Sequence, residues 1–185
     1  MKNFPIHNSR LAPKESHSTL DAVAGMFGFV PNIIGVMATS PALAEAYIAL
    51  SGIFEKSGLN STEQQVVLLT VSHFHECHYC MAAHSVISEM HKVPDDVIEA
   101  IRIDIPINDK KLEALRVYVK RLIKYRGVIS ETQMKEFLAA DYEPSHAFDV
   151  LVGISQKMLS NFTNHIAETP VDEAFENRIW SPGKG

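Results

Sequence analysis

A second cysteine pair, a basic cluster, an apolar run long enough to cross a bilayer and any stretch patterned as a β-strand are all missing from these 185 residues. Each absence removes a class of protein. With only two cysteines, a structural zinc site would lack the second thiolate pair that usually completes four ligands. Without a Lys/Arg cluster, and with a net charge of −5, neither nucleic acid nor an anionic membrane is an expected partner. No stretch of about 18 uncharged apolar residues could span a bilayer. The opening Met1-Lys2-Asn3-Phe4-Pro5-Ile6-His7-Asn8 lacks the apolar centre of a secretory signal. A cytoplasmic protein is therefore expected, in a compartment where glutathione and thioredoxin keep thiols reduced. Alternating Val, Ile and Thr bounded by turn residues do not occur, and neither do internal repeats or low-complexity tracts.

What the chain does hold is apolar residues at helical spacing, from about residue 19 to residue 165. The expected fold class is all-α, in one domain: an N-terminal arm over 1–18, a helical domain over 19–179 and a tail over 180–185. Leu112, Leu115, Val119, Leu122 and Ile123 form one stripe; Ala147, Val150, Leu151, Ile154, Met158 and Phe162 form another, and both read as core. Punctuation at Pro31, Pro41, Gly58, Pro94, Pro106, Gly127, Pro144 and Pro170 predicts roughly eight to ten helices. Asn60 with Glu63 three residues on predicts a capping box, and the helix it opens should turn near His75-Glu76 into a second one, forming a hairpin.

The two cysteines stand three residues apart in Glu76-Cys77-His78-Tyr79-Cys80-Met81-Ala82-Ala83-His84. A disulfide closing so short a loop removes little chain entropy, so its value would lie in being made and broken. On a helix, positions i, i+3 and i+7 fall within about 60° of one another, which puts Cys77, Cys80 and His84 on one face. His84, one turn beyond Cys80, is placed to accept its proton. If Cys77 opens the helix, the free backbone N–H groups favour a thiolate there. Against this stand two plainer readings, a pair of cysteines packed as small hydrophobes and a zinc site using Cys77, Cys80 and His84 as ligands.

Together with Gly58-Leu59-Asn60-Ser61-Thr62-Glu63-Gln64-Gln65, this motif resembles the AhpD-like alkylhydroperoxidase branch of the carboxymuconolactone decarboxylase family. Gly28-Phe29-Val30-Pro31-Asn32, Asn161-Phe162-Thr163-Asn164-His165 and Thr169-Pro170-Val171-Asp172 look like its peroxidase-related members, so the resemblance spans about residues 25–176. It implies an AhpD-like multi-helix bundle with a central hairpin carrying the Cys-x-x-Cys motif, assembled as a homotrimer or homohexamer. It implies a thiol-dependent peroxidase with no cofactor, in which Cys80 attacks a small peroxide, Cys77 closes the disulfide, His84 relays the proton and a lipoamide- or thioredoxin-type dithiol re-reduces the pair. Only the resemblance supplies that order of attack.

One departure stands out: the family usually has a glutamate twelve residues before the first cysteine, and here the position is Gln65. An amide orients a water or a sulfur but takes up no proton. Glu63 is no substitute, since two residues along a helix turn it roughly 200° away. His73, His75, His78 and His165 are further candidates for the relay. The alternatives are a decarboxylase of a lactone carboxylate, as in the wider family, and a redox sensor or oligomeric binding protein without turnover.

Overall fold

The computed structural model describes residues 4–183. Nine α-helices follow in order among these residues: α1 (His17–Phe27), α2 (Asn32–Met37), α3 (Pro41–Phe54), α4 (Ser61–Phe74), α5 (His78–Met90), α6 (Asp95–Arg102), α7 (Lys110–Lys124), α8 (Glu131–Leu138) and α9 (Pro144–Ala167), with 3-10 turns at Lys14–Ser16 and Glu173–Arg178. No strand occurs among the described residues, and none of their helices is long and apolar enough to cross a membrane.

α4 is the hub, packing on α5, α6, α7 and α9. Its start is set locally: Glu63 N donates to Asn60 Oδ1 at 3.0 Å and Asn60 N donates to Glu63 Oε2 at 2.9 Å, the reciprocal box expected from the sequence. Its end is a Schellman turn, with Glu76 left-handed at φ 51°, Glu76 N donating to His73 O and Cys77 N to Ser72 O. Cys77, the last residue of that turn, is also the N-cap of α5. The hairpin thus fixes the first cysteine from both sides.

Two apolar clusters flank α4. One joins α4, α6, α7, α8 and α9 around Leu69, Ile98, Leu115 and Phe137; the other joins α1, α2, α3 and α5 around Leu20, Met37 and Ala44, and holds both cysteines. α9 lies against α3 and α4 at Gly153, where a Cβ would stand 2.7 Å from Phe54 Cζ and 2.9 Å from Val67 Cγ1. Side-chain growth there would overpack the contact.

The ends of the fold differ from their expected boundaries. Helical structure begins at Lys14, with Ser16 buried and its hydroxyl donating to Ala38 O, inside the segment expected as an arm. Trp180, expected to open the tail, is buried, and its Nε1 donates to Arg102 O at 2.8 Å. Residues 1–3 and 184–185 of the two end segments lie outside the described residues.

The second stripe needs correction. Ala147, Val150 and Ile154 are core, but Leu151, Met158 and Phe162 are exposed, together with Phe148 and Ile166. From Gln156 onward the inward face of α9 is polar: Gln156, Lys157, Ser160, Asn161 and Asn164 are all buried. Its C-terminal half is an amphipathic helix turned inside out, and what it faces explains why.

Candidate active site

That polar face looks onto the cysteines. Cys77 and Cys80 are 0% and 3% exposed and both are free thiols. Asn164 Nδ2 donates to Cys80 Sγ at 3.2 Å and to Cys77 Sγ at 3.6 Å, and Ser160 Oγ lies 3.8 Å from the Cys80 sulfur. A cavity of about 380 Å³ opens beside them, between the two apolar clusters. Tyr47, Phe54, Leu68, Tyr79, Ala83 and Phe175 make much of its wall, and Cys80, His84, Gln65, Gln156, Lys157 and Ser160 supply its polar lining. Cys77 does not line it and lies behind Cys80.

The two thiols are driven apart in acidity. The hydrogen bond that Cys77 donates to Cys80, and then burial, push the Cys77 thiol far above its ordinary value. For Cys80, burial works against ionisation, but the Cys77 thiol donating to it, the Lys157 charge and the Ser160 contact outweigh burial and hold it well below the usual thiol range. Of the two thiols the more acidic is therefore Cys80, not the cysteine that opens the helix. Cys77 makes no capping hydrogen bond with its side chain and so gains nothing from the free N–H groups of α5.

His84 Nδ1 lies 3.2 Å from Gln65 Oε1, an oxygen that also accepts from Ser88 Oγ at 3.4 Å. An amide oxygen only accepts, so Nδ1 carries the hydrogen and Nε2 is left as an acceptor. Burial first, and then the Lys157 and His91 charges, keep the His84 pKa well below its ordinary value, so the ring is neutral. It can pass a proton on but not hold one.

The other sequence candidates lie elsewhere. Glu63 is the cap, buried and paired with Lys111 Nζ at 3.1 Å. His73 and His78 face the Trp180 ring, and His78 Nδ1 donates to Trp180 O at 3.0 Å. His75 Nδ1 donates to Asn161 Oδ1 at 3.1 Å, which ties the hairpin turn to α9 without reaching the cavity. His165 is exposed near the end of α9. Sequence reasoning did not single out Tyr47, Gln156, Lys157 or Ser160 for the site, and named Asn164 only within the resemblance. The available signal was a run of polar residues at 156, 157, 160, 161 and 164, one helical face of a strongly apolar helix.

Residues 41–119, which include Gln65, both cysteines and His84, match the carboxymuconolactone decarboxylase family. In fold the chain is similar to an uncharacterised peroxidase-related protein from Ralstonia eutropha JMP134 with an alkylhydroperoxidase AhpD core, with TM-score 0.80, 19% identity and 93% of each chain covered. An uncharacterised peroxidase-related protein from Silicibacter sp. TM1040 gives TM-score 0.80 at 14% identity, covering 95% of this chain and 93% of that one. The debrominase Bmp8 gives 0.76 at 17% identity, covering 96% and 97%. No curated protein matches the chain in sequence. The chain has the AhpD-like fold, and within it residues 41–119 are similar to the carboxymuconolactone decarboxylase family.

Proposed function

We propose that this protein is a thiol-dependent peroxidase acting on organic hydroperoxides. The observation that carries the reading is the division of labour between the sulfurs: Cys80, with the depressed thiol pKa, lines the cavity, and Cys77, with the raised one, stands behind it as a hydrogen-bond donor. The Cys80 thiolate attacks the terminal peroxide oxygen, the O–O bond breaks, and the departing alkoxide takes a proton to leave as an alcohol. The Cys77 sulfur then displaces hydroxide from the Cys80 sulfenic acid, which leaves as water with the Cys77 proton and closes the disulfide. His84 Nε2, an acceptor on a ring that stays neutral at rest, passes the Cys80 proton on when the dithiol state is restored.

An apolar cavity of about 380 Å³ suits an organic hydroperoxide better than hydrogen peroxide. The burial of both cysteines favours a slender dithiol of the lipoamide type as reductant, since a thioredoxin-type protein would have to reach the disulfide across the same cavity. Turnover of cumene hydroperoxide with dihydrolipoamide in the wild type, Cys80→Ser and His84→Ala tests the proposal. Activity should vanish in the first variant and drop in the second; equal rates in all three would end it. Stoichiometric oxidation without regeneration would point instead to a sensor.

The aromatic lining of the cavity favours one second reading, thiol-dependent debromination of an aromatic ring. A cysteine-to-alanine variant of the debrominase Bmp8 has been crystallised with 2,3,4-tribromopyrrole. Here Cys80 would take the bromine as the ring carbon takes a proton, and Cys77 would displace bromide to form the disulfide. Bromide release that depends on both cysteines, without peroxide turnover, would select it.

The proposed assembly is the homotrimer or homohexamer that the family resemblance implies, with the exposed apolar face of α9 covered by another copy.

A further inference from the structure

We propose that Lys157 is the acid–base partner of Cys80, holding the proton that Gln65 cannot. The inference rests on the choice of Cys80 as nucleophile made above and adds the residue on which its proton rests.

Lys157 is 0% exposed, and its Nζ makes no hydrogen bond of ordinary geometry. An ammonium in such a place is costly unless an opposite charge faces it. It lines the same cavity as Cys80, and its carbonyl accepts from Ser160 Oγ at 3.2 Å, the hydroxyl that in turn stands beside the Cys80 sulfur. Burial works to discharge Lys157; Cys80 is the first group that keeps it charged, followed by Tyr47 and Cys77. Tyr47 of α3, Cys77, Tyr79 and His84 of α5 and His75 of the hairpin turn are the other titratable groups that interact with the pair. His84 is unfit to store the proton, because burial and the Lys157 charge both oppose an imidazolium.

The proton inventory then closes. In the resting state Cys80 is a thiolate and Lys157 an ammonium. When the thiolate attacks and becomes a sulfenic acid, the charge facing Lys157 disappears, burial lowers its pKa, and its proton goes to the departing alkoxide. Disulfide formation consumes one thiol hydrogen and releases water. When a dithiol reduces the disulfide, the new Cys80 thiol returns a proton to the neutral Lys157 amine.

The test is the pH profile of Cys80 alkylation by iodoacetamide, mapped by mass spectrometry in the wild type, Lys157→Met and Lys157→Arg. Losing the cation should move the midpoint up by about one pH unit or more, while arginine, which keeps the charge, should leave it near that of the wild type. An unchanged profile in folded Lys157→Met overturns the proposal. A second measurement needs no lysine variant: NMR of isotope-labelled lysine should show Lys157 titrating at lower pH in Cys80→Ser than in the wild type, and an identical titration overturns it equally. Neither experiment uses peroxide. Unchanged titrations beside full peroxidase activity would discard only the lysine, whereas a dead peroxidase with shifted titrations would discard only the peroxide.

Discussion

Asn164 Nδ2 lies 3.2 Å from Cys80 Sγ and is the shortest hydrogen bond the sulfur receives from another helix. A hydrogen bond to a charged acceptor contributes roughly 1.5 kcal/mol, so Asn164→Leu should raise the Cys80 pKa by about one unit. Asn164→Asp should raise it further, because a carboxylate would then face the thiolate. Alkylation rate against pH reads both, and a leucine variant with the wild-type midpoint would remove Asn164 from the thiolate's support.

Acid should weaken the fold through His84. Its folded pKa is well below 6.5, so as pH drops under 6.5 the unfolded chain takes a proton that the native ring refuses. The unfolded state binds more protons in that window, and stability falls with falling pH by up to about 1.4 kcal/mol per unit from this group. His73 and His75, lowered chiefly by burial, act in the same direction. Urea unfolding at neutral pH and near pH 5 should show a smaller acid loss in His84→Gln than in the wild type; equal losses would contradict the buried neutral ring.

The hairpin that carries the cysteines was legible because its determinants are local. Asn60 and Glu63 cap each other within one turn, and Cys77, Cys80 and His84 share a face by helical geometry alone. Lys157 was not legible in the same way. Periodicity reveals that α9 has two faces but not which one the rest of the chain will cover, and Leu151, Met158 and Phe162 pointed to the wrong one. Only the approach of α5, with a sulfur able to carry negative charge, makes a buried Lys157 with Ser160 and Asn164 beside it physically tolerable. The identity of the partner across the gap is a long-range fact, 77 residues away from Cys80 in sequence.

The outer face of α9 predicts self-association. Phe148, Leu151, Met158, Phe162 and Ile166 are exposed, Phe148 at 69%, and their spacing follows a heptad-like seam. An apolar face of this kind on a helix whose other side is committed to the cavity needs a cover. Replacing Phe148 and Phe162 together by glutamate should lower the mass measured by light scattering to that of one chain, with Cys80 alkylation retained. A wild-type monomer, or an unchanged mass in the variant, would show that this face is not the contact.

Gln65→Glu should restore a proton acceptor beside His84. The new carboxylate would accept from His84 Nδ1 and Ser88 Oγ where the amide oxygen does now, at 3.2 and 3.4 Å. Burial raises the pKa of a carboxyl group, but the imidazole N–H, the Ser88 hydroxyl and the Lys157 charge all favour its ionised form. An anion at that point also pulls the His84 pKa upward, so the ring could hold the proton it now only passes on. Peroxide turnover should rise by roughly tenfold, and its acid limb should follow the raised His84 pKa. Dithiol-coupled turnover across pH measures this directly: a folded Gln65→Glu protein with unchanged or lower activity would mean that proton transfer does not limit the rate, and that the glutamine is no handicap to a site already served by Lys157.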